Sequence, residues 1–143
     1  MFRKIDHIAI AVRSLESVIK VYEDALGLSG WRIEEVREQQ TRVAVLPMGE
    51  SRIELLEATA EDSPIARFIA KRGEGLHHVC FQVENLGEEM EKIRVAGLRL
   101  IDQSPRIGAG GCLIAFLHPS SAAGVLIELS QPRELTDTHT TSE

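Results

Sequence analysis

The chain has 143 residues, 43% hydrophobic and 27% charged, which is the content of one soluble unit able to bury a core without disulfides. A net charge of -6 excludes nucleic acid or an anionic membrane as the main partner, because phosphate binding needs a basic surface. Cys80 and Cys112 sit in apolar runs without CxxC spacing, no apolar run approaches the roughly 20 residues of a bilayer span, and a strand pattern begins almost at Met1. These features predict a cytoplasmic protein with buried, reduced cysteines and no leader.

In chain order, His7 to Val12 reads as a strand. Ser14 caps a helix whose apolar positions Leu15, Val18, Ile19, Tyr22, Ala25 and Leu26 keep helical spacing until Gly27 stops it. A weaker strand is expected near Trp31 to Val36. Thr41 to Pro47 and Arg52 to Glu57 read as a hairpin across Met48-Gly49-Glu50-Ser51. Ser63-Pro64 starts a helix that Gly73 ends. His77 to Val83 is a strand, and Asn85 with Glu88 forms a capping box for a helix bearing Leu86, Met90 and Ile93, ended by Gly97. A weak strand near Arg99 to Asp102 and the glycine-rich Gly108-Ala109-Gly110-Gly111 lead to strands at Cys112 to Leu117 and Val125 to Ser130. The polar stretch 132–143 reads as a flexible tail.

The order repeats. Ile5-Asp6-His7-Ile8-Ala9-Ile10-Ala11-Val12 matches Leu76-His77-His78-Val79-Cys80-Phe81-Gln82-Val83, and Arg52-Ile53-Glu54-Leu55 matches Leu126-Ile127-Glu128-Leu129. The expected fold class is therefore α+β, with two pseudo-symmetric β-α-β-β-β modules, about 4–74 and about 75–131, in a single domain over 1–131. Strand alternation puts His7, Ala9 and Ala11 on one face, and His78, Cys80 and Gln82 on the corresponding face of the repeat. Glu54 and Glu128 oppose the apolar faces of their own strands, where an unpaired carboxylate would be costly to bury. One His and one Glu per module make a four-ligand metal site from His7, Glu54, His78 and Glu128 the leading expectation, in a cleft between curved sheets. His77 shares the apolar face and reads as a core histidine. Glu57, Glu50 and the Glu34, Glu35, Glu38 group read as solvated charges.

Other chemistry finds little support. The glycine run lacks the Lys-Ser/Thr of a phosphate loop and opens no helix. There is no Gly-x-Ser-x-Gly, and one Trp and one Tyr offer little for base stacking.

Several further segments carry a family resemblance: Asp62-Ser63-Pro64-Ile65-Ala66, Lys71-Arg72-Gly73-Glu74-Gly75-Leu76-His77-His78, Pro105-Arg106-Ile107-Gly108-Ala109-Gly110-Gly111, Phe116-Leu117-His118-Pro119 and Gly124-Val125-Leu126-Ile127-Glu128-Leu129. With the first strand, they make residues 4–131 resemble the vicinal oxygen chelate (glyoxalase-like) superfamily, and within it the methylmalonyl-CoA epimerases. The chain departs from that pattern at Ser120-Ser121-Ala122-Ala123-Gly124, where a lysine and a Gly-Gly pair are common, and at Cys112, where a basic residue is usual.

The resemblance implies metal ligation by His7, Glu54 (Glu or Gln in the family), His78 and Glu128. It also implies an acyl-CoA substrate, a homodimer, and one divalent ion, cobalt by resemblance with Mn, Ni, Zn or Mg also suited to the donor set. No organic cofactor is expected. The implied reaction removes the proton α to a thioester and returns it to the opposite face, with Glu128 as the catalytic acid/base and Glu54 or a bound water as options for the second group. Two alternatives use the same scaffold: a glyoxalase-I-type isomerase acting on a glutathione adduct, and a non-catalytic small-molecule-binding protein.

Overall fold

Polar side chains set the helix starts at the residues the sequence marks. In the computed structural model, which describes residues 1–133, Ser14 Oγ accepts the Ser17 N–H at 3.3 Å, Ser63 Oγ that of Ala66 at 3.0 Å, and Asn85 Oδ1 that of Glu88 at 3.0 Å. The helices they open are α1 (Leu15–Leu26), α2 (Pro64–Arg72) and α3 (Leu86–Val95). Gly27 ends α1 in the left-handed region at φ 69°, a conformation that a residue with a Cβ adopts only at a cost. The strands are β1 (Phe2–Ala11), β2 (Arg32–Val36), β3 (Thr41–Met48), β4 (Ser51–Ala58), β5 (Gly75–Val83), β6 (Arg106–Ile107), β7 (Leu113–Leu117) and β8 (Leu126–Gln131). The order is two β-α-β-β-β modules of an α+β fold. Of the expected tail, residues 134–143 lie outside the described residues.

The described residues form two compact units, residues 7–77 and residues 1–6 with 78–133. In the first, the strand order is β2-β3-β4-β1, with β1 parallel to β4 and the other neighbours antiparallel. Alternation gives the sheet two faces, and a helix lies on each. From α1, Leu15, Val18, Ile19 and Tyr22 pack with Ile10, Ala44, Ile53 and Leu55. From α2, Ile65, Phe68 and Ile69 pack with Ala9, Ala11, Val43 and Leu56. The small-residue face that bears His7 is thus partly roofed by α2, which the alternation pattern alone does not reveal.

In the second unit the order is β5-β8-β7-β6, with β5 parallel to β8. Leu86, Met90 and Ile93 of α3 cover Phe81, Val83, Ala115, Leu117 and Leu129. The start of β1 belongs here: the rings of Phe2 and Phe81 lie 5.4 Å apart, and the Met1 carbonyl accepts the Glu84 N–H.

The registers of the two modules match. Glu54 stands between Ala9 and Val45, as Glu128 stands between Cys80 and Phe116. One step along, the row Glu34–Val43–Leu56 corresponds to Arg106–Ile114–Ser130. The outer strands β2 and β6 therefore carry opposite charges at equivalent points.

Three expectations are corrected. Residues 99–102 form no strand; only a bridge joins Leu100 to Leu117, and the Asp102 carboxylate accepts the Phe116 N–H at 2.8 Å in place of a ladder partner. The outer strand lies instead at Arg106–Ile107. Cys112 is half-buried, at the end of a 3-10 turn over Ala109–Gly111, not buried within β7. Glu57 is not a solvated charge: it accepts the Leu15 N–H at 2.9 Å and an Arg42 N–H at 2.8 Å, tying the first turn of α1 to the sheet. Arg42 also reaches Glu16, whose carboxyl is held below its ordinary pKa by the backbone of its own turn first and by Arg42 second.

Candidate metal centre

Each module brings its His and Glu together. In the first, His7 is the register partner of Arg52 and Glu54 lies one step further along the same face of β4. His7 Nδ1 lies 3.6 Å from Glu54 Oε2. One nitrogen of Arg52, Nη2, joins them: it donates to Glu54 Oε2 at 3.0 Å and lies 3.2 Å from His7 Nδ1. In the second, His78 Nε2 lies 3.1 Å from Glu128 Oε1. His7, His78 and Glu128 are buried, and the Glu54 side chain is 15% exposed.

The donor sets suit a divalent cation. Two donors cis to one another at about 2.1 Å from an octahedral ion stand about 3.0 Å apart, close to the His78–Glu128 separation. In the first module the imidazole nitrogen and carboxylate oxygen converge on a point already holding positive charge, the Arg52 nitrogen. Imidazole with carboxylate is a borderline-to-hard donor set, fitting Mg, Mn, Co, Ni or Zn better than a thiophilic ion.

His77, the neighbour of His78, points to the other side of its strand and meets the Phe68 ring edge-on, with centroids 4.8 Å apart. This agrees with its reading as a packing residue. Around the second pair, the Phe116 ring stands edge-on to His78 at 5.9 Å, and the Arg106 guanidinium carbon lies 5.4 Å from the Phe116 centroid. Asp102 holds Arg106 through Nε at 2.9 Å. Sequence reasoning missed both arginines. Period-two spacing from Glu54 carries a signal for Arg52, but the two-residue strand of Arg106 is too short to give one.

A family model described as the glyoxalase/bleomycin resistance protein/dioxygenase superfamily matches residues 6–116. The chain is 41% identical to the uncharacterized protein YqjC of Bacillus subtilis, across 91% of this chain and 93% of that one. It is 35% identical to the ethylmalonyl-CoA/methylmalonyl-CoA epimerase of Cereibacter sphaeroides, across 92% and 99% respectively. The chain belongs to the methylmalonyl-CoA epimerase family. A solved member of that family, in complex with methylmalonyl-CoA and NH4+, matches with a TM-score of 0.84 and 35% identity, covering 94% of this chain and 98% of that one. Epimerases are isomerases, which sets this chain among enzymes. No helix among the described residues is long and apolar enough to cross a membrane.

Proposed function

We propose that the protein interconverts the (2R) and (2S) epimers of methylmalonyl-CoA, using one divalent ion ligated by His7, Glu54, His78 and Glu128. The observation that carries this reading is the recurrence of a His–Glu pair at the same strand register in both modules of a chain from an epimerase family. Cobalt is the ion favoured by family resemblance. When bound, it supplies positive charge beside the thioester oxygen, where negative charge accumulates as the α-proton leaves.

The protein's own groups handle the proton. Glu128 is the proposed acid/base: it is a carboxylate buried beside His78 in the second module. Inversion also requires a group on the opposite face of the planar carbanion. On β3, Glu54 pairs with Val45, flanked on the same face by Val43 and Pro47, and none of these side chains can carry a proton. Glu54 itself is the proposed second group, with Arg52 holding one of its oxygens.

The test is incubation of the metal-loaded protein with (2S)-methylmalonyl-CoA in deuterated water. The reading expects deuterium at C2 together with the (2R) epimer. Absence of both, with turnover of a glutathione hemithioacetal, would assign the protein to glyoxalase-type chemistry. Absence of any turnover, with tight retention of an unaltered small molecule, would make it a binding protein. A homodimer is the proposed assembly, and sedimentation giving only a monomer at micromolar concentration would count against it.

A further inference from the structure

Two side chains at the ends of equivalent strands make the same contact in the two modules. Glu57 lies three residues past Glu54 on β4, and its Oε2 accepts the Leu15 N–H at 2.9 Å. Gln131 lies three residues past Glu128 on β8, and its Oε1 accepts the Leu86 N–H at 2.9 Å. Leu15 and Leu86 each stand eight residues past the His7 or His78 of their module and open the helix that follows. The caps Ser14 and Asn85 serve the N–H groups of Ser17 and Glu88, so each helix start takes one acceptor from its own turn and one from a distant strand. The two distant acceptors are matched to their surroundings. Glu57 is the register partner of Arg42, which donates to it, whereas the neutral Gln131 is the register partner of Leu113, beside which a carboxylate would lack a counter-charge.

This contact does something that helix capping alone does not require. Backbone ladders look alike in registers two residues apart, and such a slip keeps every side chain on its own face, so side chains must choose between them. Slipping β8 by two residues against β5 would carry Glu128 about 6–7 Å along the strand. That would end its contact with His78, now 3.1 Å away. Gln131 bonds to the chain that has just left β5, and so ties the strand bearing Glu128 to the strand bearing His78. Glu57 likewise ties β4, bearing Glu54, to the chain that has just left β1, bearing His7. Resting on the metal-dependent reading above, we propose that Gln131 and Glu57 are positioning residues, which hold the His and Glu of each module in register for a divalent ion.

The test titrates cobalt(II) into metal-free wild type, Gln131→Met and Gln131→Glu by calorimetry, with circular dichroism showing that each is folded. Methionine keeps the length of the side chain and loses the acceptor, whereas glutamate keeps an acceptor, as Glu57 does. The proposal expects Gln131→Met to weaken cobalt binding about tenfold, the lower end of the cost of losing a contact that orients a ligand, and Gln131→Glu to stay within about threefold of wild type. In the metal-free protein, the amides of Leu86 and of β8 should exchange with deuterated solvent faster in Gln131→Met than in wild type. Glu57→Met and Glu57→Gln should give the same contrast in the first module, and they decide the matter if Gln131→Met does not fold. A folded Gln131→Met that unfolds at lower denaturant yet binds cobalt as wild type does would make the contact a helix cap alone and overturn the proposal. Equal weakening by methionine and glutamate would assign the loss to packing and overturn it as well. A wild type that binds no divalent ion would fail the metal-dependent reading itself, an outcome distinct from a wild type that binds cobalt and variants that bind it equally well.

Discussion

His78 Nε2 and Glu128 Oε1 stand 3.1 Å apart although they arise from different strands, because β5 and β8 pair in parallel with Cys80 opposite Glu128. This separation suits two ligands of one ion, and Glu128 is also the proposed acid/base. Glu128→Gln tests the two roles separately, because an amide oxygen still coordinates but is a poor base. The variant should keep at least half of the bound metal by elemental analysis and lose at least about 100-fold in α-proton exchange with deuterated solvent, within the range usual for a lost acid/base. Near-normal exchange at full metal occupancy would transfer the role to another group.

Glu54→Gln should be milder. It keeps an oxygen donor, and the family pattern itself allows Gln at this position, so the expected loss in exchange is about tenfold, below the range usual for a lost acid/base. A collapse in exchange equal to that of Glu128→Gln would make the two carboxylates equal partners.

His77 and His78 are adjacent but differ in what they touch: His77 meets Phe68, and His78 meets Glu128. His78→Ala should reduce metal stoichiometry sharply, whereas His77→Phe should leave it near wild type and preserve packing on Phe68. Equal loss of metal in both variants would contradict the face assignment.

On the proposed four-ligand reading, Arg52 would compete with the ion for Glu54 and His7, since its Nη2 bonds to the carboxylate and lies 3.2 Å from the imidazole. Arg52→Gln removes that charge. Divalent-ion affinity measured by titration should rise about tenfold, or about 1.4 kcal/mol, and the difference should shrink as salt screens the half-exposed guanidinium. A fall in affinity would show that Arg52 orients Glu54 for ligation.

Ser63 is fully buried and caps α2 through the Ala66 N–H. Ser63→Ala leaves that N–H without its partner and should cost about 1–2 kcal/mol in a chemical unfolding titration. An unchanged midpoint would mean that another group, or water, satisfies the N–H.

Much of this was legible from residues whose pattern is periodic or local. Ser14, Ser63 and Asn85 cap helices with their own side chains, and alternation around His7 and His78 separates the apolar faces from the polar ones. The repeat aligned Glu54 with Glu128 without reference to any contact. What escaped depended on partners distant in sequence. Glu57 looked solvated because its bonds to Leu15 and Arg42 come from other elements. Asp102 replaced a strand partner with a carboxylate, which moved the outer strand to Arg106–Ile107. The packing of α2 on Ala9 and Ala11 was hidden because an amphipathic helix announces a buried face but not the sheet surface it covers.

The opposite charges of Glu34 and Arg106 at matching register positions have a consequence for how such a protein can change. Both lie on strands at the margin of their four-strand arrangement, with a neighbour on one side only. Replacing a residue there disturbs one ladder and little packing, whereas β1, β4, β5 and β8 have their His and Glu positions locked by parallel pairing. A duplicated scaffold of this kind separates what must be inherited from what can drift. Substitutions can be tried at the margins, one copy at a time, while the His and Glu pairs stay in place.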